Sequence, residues 1–397
     1  PVGTDNVALG NTALDSVEAG GINNVAIGDN AATAITTGDN NVAIGKDALL
    51  STTTSANNVA IGSFSLDANT TGSSNTAVGR NSLSANIDGV YNSAVGHNSL
   101  ASNTTADNNT AIGYSALVSN TTGTLNTAVG VCALNTNVSS NHSTAFGANA
   151  LRDNTGTQNT AIGSNSLLKN IGGADNVAIG YLTAACNTTG ANNVALGNFA
   201  LRQNTTANNN TAVGFESLKS NTTGADNSAI GFEAMSTNTT GCRNTAFGKR
   251  ALKLNTEGCD NVGIGLNSLC ANTTGDFNTG LGFASLQSNT TANNNTGLGY
   301  YALQANTTGT ANVAVGRCAL ATNISGGTNT AVGYSSLTSN TGCCNTAVGY
   351  VSLTNNSSGA NNVAMGYSAL GGNTTGASNT AVGKSSLAAN TTGASNV

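Results

Sequence analysis

Small and apolar residues recur along this chain on a fixed schedule. Aligned on the glycine that closes the pentad N-[TV]-A-[VI]-G, the chain shows it at Gly10, Gly28, Gly45 and onward to Gly383, 23 times in all. Of the 22 intervals, 19 are 17 residues, two are 16 and one is 18. Self-similarity at a short fixed period is the mark of a stacked repeat architecture. The consensus unit reads N-T-A-V-G-x-x-S-L-x-x-N-T-T-G-x-x. The residue before the glycine is apolar in all 23 units, and four residues after it comes Leu in 20, with Ala32, Ala184 and Met235 in the others. Both read as core positions. The Thr, Val or Ser two residues ahead of the first shares its face by the period-two rule of strands. The pattern therefore predicts a short strand ending at a glycine corner. A helix is disfavoured, because Gly and Thr interrupt every turn and no i, i+3, i+4, i+7 stripe exists.

One unit carries only two or three buried side chains, too few to offset the entropy of ordering it. Stacking solves this, since each coil covers the apolar face of the next. The expectation is an all-β parallel β-solenoid (a β-roll or β-helix) with one repeat of ~17 residues per coil, 23 coils forming a single continuous array over 1–397. The chain opens inside a repeat and stops at Asn396-Val397, half-way into another pentad, as a segment of a longer fibre would. The first residue of the pentad is Asn in 22 of 23 units, Ser143 being the exception. Two readings are open for it: an amide ladder running up the stack, or a residue that tolerates a left-handed turn. The middle residue is Ala in 20 units and Gly in three (Gly263, Gly280 and Gly297), never polar and never large. Either it fills a narrow interior, or it faces identical chains around a threefold axis.

Composition agrees with a repetitive sheet. Proline, which cannot donate to a ladder, occurs only as Pro1. Disordered chains combine high net charge with no apolar period, whereas here the formal net charge is -5 and the period is strict. The 12 Lys and Arg form no basic stripe, so nucleic acid is not an expected partner. No run of 18 apolar residues is present to span a membrane.

Candidate chemistry is sparse. Asn-x-Ser/Thr acceptors fall at one place in 15 units: Asn69, Asn103, Asn120, Asn137, Asn187, Asn204, Asn221, Asn238, Asn272, Asn289, Asn306, Asn323, Asn356, Asn373 and Asn390. They offer a row of N-linked glycans, or simply good turn chemistry. Asn86, Asn154, Asn170, Asn255 and Asn340 keep the Asn without the acceptor, which favours a backbone role. Of the eight cysteines, Cys242 and Cys259 share one position in successive coils, within disulfide reach, and a bridge is expected there. No Cys/His spacing suits zinc, so neither metal nor cofactor is expected. Glu216 and Glu233 also stack, but Arg250 follows one coil later, so a surface ion-pair ladder is expected in place of a catalytic carboxylate pair. Seven of the eight tyrosines lie in the two positions after the corner glycine, with Phe215, Phe232 and Phe283. Such a row either binds sugars or neighbouring fibres, or seals an edge of the sheet.

The pentad followed by x-x-[SA]-L resembles the head repeats of trimeric autotransporter adhesins, most clearly at Asn24-Val25-Ala26-Ile27-Gly28, Asn41-Val42-Ala43-Ile44-Gly45 and Asn176-Val177-Ala178-Ile179-Gly180. The longer form, Asn126-Thr127-Ala128-Val129-Gly130 preceded by Asn120-Thr121-Thr122-Gly123, is similar to repeats of phage- and virus-type tail fibres. Autotransporter head units are shorter, so the N-T-T-G segment reads as an added loop. The resemblance covers the whole chain and implies parallel β-rolls packed as homotrimers. Together these readings lead to a non-enzymatic structural component of an extracellular fibre or surface appendage, adhesin-like, at a cell surface or on a virion. Its partners would be copies of itself, in a homotrimer or filament, and glycans or a cell surface. The alternative is a ligand-binding solenoid, either ice-binding or a carbohydrate-binding tailspike-like fold.

Overall fold

The computed structural model describes residues 4–397. It is all-β, with no helix among the described residues, and divides into two compact units, one ending at Leu196 and the other beginning at Gly197. The first holds twelve strands, from β1 (Val7–Leu9) to β12 (Val194–Leu196), and the second eleven, from β13 (Thr211–Val213) to β23 (Thr380–Val382). Every strand is three residues long and pairs in parallel with the strand one repeat away. Val42, Ala43 and Ile44 lie opposite Val59, Ala60 and Ile61, and Thr279, Gly280 and Leu281 opposite Thr296, Gly297 and Leu298. One sequence period is thus one rung, and each unit is a parallel β-solenoid. A 16-residue coil keeps this register, as Thr144, Ala145 and Phe146 against Thr160, Ala161 and Ile162 show, because the deletion falls in the loop.

The two faces of the strand are the reverse of the sequence reading. Val/Ile before the glycine and Thr/Val two residues earlier point outward, and the Ala between them points in: Ala43 and Ala60 are fully buried while Ile61 is 37% exposed. A three-residue strand sends only its middle residue to the interior, and that interior is narrow. A Cβ added to Gly263 would lie 3.2 Å from Leu252 Cγ, so the leucine of the preceding coil fills the space beneath each strand. The apolar core is built chiefly from the strand Ala and the Leu four residues past the corner, with no room for Val or Ile at the middle strand position. Of the two readings for the alanine, it fills the interior.

The corner glycine is required sterically. At Gly45 φ is 134°, and a Cβ there would lie 2.7 Å from the carbonyl carbon of Gly62 in the next coil. Three further residues of each coil have positive φ: the one before the pentad, and those two and four past the glycine, as at Asn40, Asp47 and Leu49. These bends close a rung within 17 residues, and their amides still bond along the stack, Leu49 N–H to Ser65 O at 2.9 Å.

Candidate functional site

A regular surface feature of both units is the outer face of the strands. In both units it presents two columns, Thr/Val and Val/Ile/Leu/Phe, separated by two residues along the strand, or about 6.6 Å, and repeating about every 4.8 Å. Ile112, Ile162 and Ile179 in the first unit and Phe247, Leu281, Val348 and Met365 in the second are exposed, and Phe146 is 55% exposed. Nothing polar interrupts the column nearest the glycine. Strand register places these side chains side by side, so a continuous apolar strip follows directly from the pentad.

The interior is unusually polar, and it holds two asparagine ladders. The pentad asparagines form the first. Asn41 N–H donates to Asn24 Oδ1 at 2.9 Å, Asn41 Nδ2 to the same oxygen at 3.2 Å, and Asn41 Nδ2 also to Ser55 O at 3.0 Å. The ladder reading holds, and the left-handed residue is the preceding one. The second ladder consists of the asparagines read as glycan acceptors. Asn86 donates to Asn69 at 2.7 Å, Asn103 to Asn86 at 2.9 Å and Asn120 to Asn103 at 3.1 Å. Each of the fifteen acceptor asparagines also donates Nδ2 to the carbonyl three residues on, closing its own loop. Fourteen of them, Asn69 through Asn373, are buried, and Asn390 in the last coil is partly so. This placement supports the backbone role of these asparagines over glycan attachment, because the nitrogen that would carry a sugar is an interior donor in the folded coil.

Cys242 and Cys259 are brought together as expected, as thiols, with Sγ atoms 2.7 Å apart and Cys242 N–H donating to Cys259 Sγ at 3.0 Å. Beside them Arg243 grips Asp260 through two bonds of 2.8 Å, which hold that carboxyl below its usual range. The stacked glutamates are paired with cations. Glu216 meets Lys219 at 2.8 Å, and Glu233 meets Lys253 at 2.7 Å and Arg250 at 2.9 Å. The bond from Lys253, ahead of that from Arg250, keeps Glu233 ionised below the ordinary carboxylate range, unlike a catalytic acid. Among the described residues there is no cluster of three or more metal-ligating side chains. No helix there is long and apolar enough to cross a membrane.

The aromatic row is ordered by its neighbours. Tyr334, Tyr350 and Tyr367 stack with centroids 5.1 and 5.3 Å apart and planes within 10°, and Phe215 stacks on Phe232. Arg317 lies over both Tyr300 and Tyr334, and Lys384 over Tyr367. Ring faces are spent on one another and on these cations, leaving edges outward, which favours the sealing of an edge over the stacking of sugars. Comparison of the sequence with protein-family models and with curated proteins finds no match to either.

Proposed function

We propose that the chain is a structural component of an extracellular fibre or surface appendage, an adhesin-like shaft without catalytic function, which self-associates as a homotrimer through the outer face of its strands. One observation carries this reading: the uninterrupted apolar column on that face in both units. Contiguous apolar surface of this kind on a soluble protein marks a site of association. The column is periodic in one direction and featureless across it, which suits an identical stack of coils laid alongside better than a compact ligand. The resemblance of the pentad to trimeric adhesin heads and tail-fibre repeats supports both the stoichiometry and the setting outside the cell, where cell-surface glycans would be available to such a shaft.

The test is the mass of the native particle in solution by light scattering. A trimer of 38.9 kDa chains has three times that mass, about 117 kDa; a particle of 38.9 kDa would overturn self-association. The ice-binding alternative draws on one feature, the outward Thr110, Thr127, Thr144 and Thr160 on successive coils. Phe146 stands beside Thr144 in the same strand and spoils the flatness such an array needs.

A further inference from the structure

We infer that Cys242 and Cys259 are a reversible disulfide staple joining two neighbouring coils of the second unit. At several coils this position, two residues before the pentad, carries a polar side chain that accepts the main-chain N–H of its counterpart one coil earlier. Asp107 does so for Val90 at 2.7 Å, Asn141 for Thr124 at 2.7 Å, and Asp276 for Cys259 at 2.7 Å. At the Cys242 step the acceptor is a sulfur, Cys259 Sγ. The two sulfurs therefore sit in a column whose side chains the backbone already aims at one another. The register is held on the far side by Asp260 N–H donating to Cys242 O at 3.1 Å, and by the Arg243–Asp260 pair. Neighbouring parallel strands lie about 4.8 Å apart, within the Cα separation a disulfide spans. The sulfurs stand 2.7 Å apart against about 2.05 Å in a formed disulfide, so closing the bond requires a further approach of only about 0.7 Å.

The oxidant is a low-molecular-weight disulfide. One protein thiolate attacks it, forming a mixed disulfide and releasing one small thiol. The second protein thiolate then attacks the protein sulfur of that intermediate and expels the other small thiol. Two protein thiols lose two protons and two electrons, and the reagent is reduced to two thiols. Burial, and then the contact with Cys259, push the Cys242 thiol up to about 11. Cys242 must give up its proton in either order of attack, so closure accelerates as pH rises from neutral toward that value.

The staple is independent of the fibre reading, and its test has a separate readout. The reduced whole chain is incubated with glutathione disulfide at pH 8, free thiols are alkylated, and the tryptic peptides are analysed by mass. Cys242 lies in the peptide spanning 220–243, and Cys259 shares the peptide 254–317 with Cys270. The expected result is the two peptides linked and lighter by two hydrogens, with the link retained in Cys270→Ser and lost in Cys259→Ser. Far-UV circular dichroism of each variant establishes that the coils are formed. Full alkylation of Cys242 in the folded chain after oxidation, or a link that persists in Cys259→Ser, would overturn the proposal.

Discussion

Leu49 is fully buried and sits at a φ of 54°, and the leucines four residues past each corner glycine repeat this conformation coil after coil. A left-handed backbone costs an L-residue about 1–2 kcal/mol. Burying a leucine side chain is worth about 1.5–3 kcal/mol, so at this position the gain offsets the cost. Two residues past the glycine the balance differs, because the side chain is outside the core. Asn30, Asn81, Asn98, Asn149, Asn165 and Asn267 fill that place, and asparagine tolerates the left-handed region well. Val351 occupies it at a φ of 46°, where a β-branched residue is most strained. Val351→Asn is therefore expected to stabilise the second unit by about 1 kcal/mol, measured as a higher denaturant midpoint; a lower midpoint would show that Val351 packing outweighs its backbone cost. At the leucine and valine sites the conformation was not legible in the sequence, since those residues carry no signal for positive φ and only the closure of a narrow coil imposes it. The corner glycines were legible, because a position that lacks a side chain in every repeat marks a backbone with no room for one.

At the scale of the coil, rung is joined to rung by main-chain hydrogen bonds and by the two asparagine ladders, and the ladders have a fault. Ser143 replaces the pentad asparagine between β8 (Thr127–Val129) and β9 (Thr144–Phe146). Its main-chain N–H still donates to Asn126 Oδ1 at 3.0 Å, but its hydroxyl is buried and unpaired, so it supplies nothing to the next rung. The coil that follows is one of the two 16-residue coils. There Asn154 turns its amide to Gly156 O at 2.7 Å, and Asn137 Oδ1 is left buried without a donor. Both ladders thus break at one rung. The other 16-residue coil keeps them. Asn329 Oδ1 accepts from Asn345 N–H at 3.0 Å, its amide reaches Gly342 O at 3.0 Å, and Asn340 still donates to Asn323 at 3.3 Å. Coil length is therefore not the cause of the broken first ladder; the missing side chain is. Ser143→Asn is expected to restore acceptance from Asn159 N–H and to stabilise the first unit by about 1 kcal/mol, the net worth of a buried hydrogen bond. Hydrogen exchange should slow at the rungs on either side. Unchanged protection there would show that the rung was not the weak one. The second ladder could have been anticipated: units such as Asn86 and Asn255 keep the asparagine after losing the glycan acceptor, as a residue held by the backbone would.

Over the whole molecule, the inversion of the strand faces decides what each face can do. Period, rung and leucine core were readable from spacing alone. Which side of a three-residue strand lies inside was not, because Val and Ile on the outside look as apolar as a core. The discriminating signal was the size limit on the middle residue, which tolerates Ala and Gly and nothing larger. This gives opposite expectations for neighbouring residues of one strand. Ala161, in β10 (Thr160–Ile162), is fully buried, so Ala161→Leu overpacks the coil and should destabilise the first unit by about 1–3 kcal/mol. Ile162 and Ile179 point outward on adjacent strands and support no interior packing. If the chain self-associates through this face as proposed, the double variant Ile162→Lys with Ile179→Lys should leave circular dichroism unchanged while lowering the native mass, because two ammonium groups there would be desolvated beside their counterparts in each partner. Loss of fold in the lysine variant would place those isoleucines in the core after all. A folded variant that kept the parental multimeric mass would move the association surface elsewhere, to the aromatic edge or the loops.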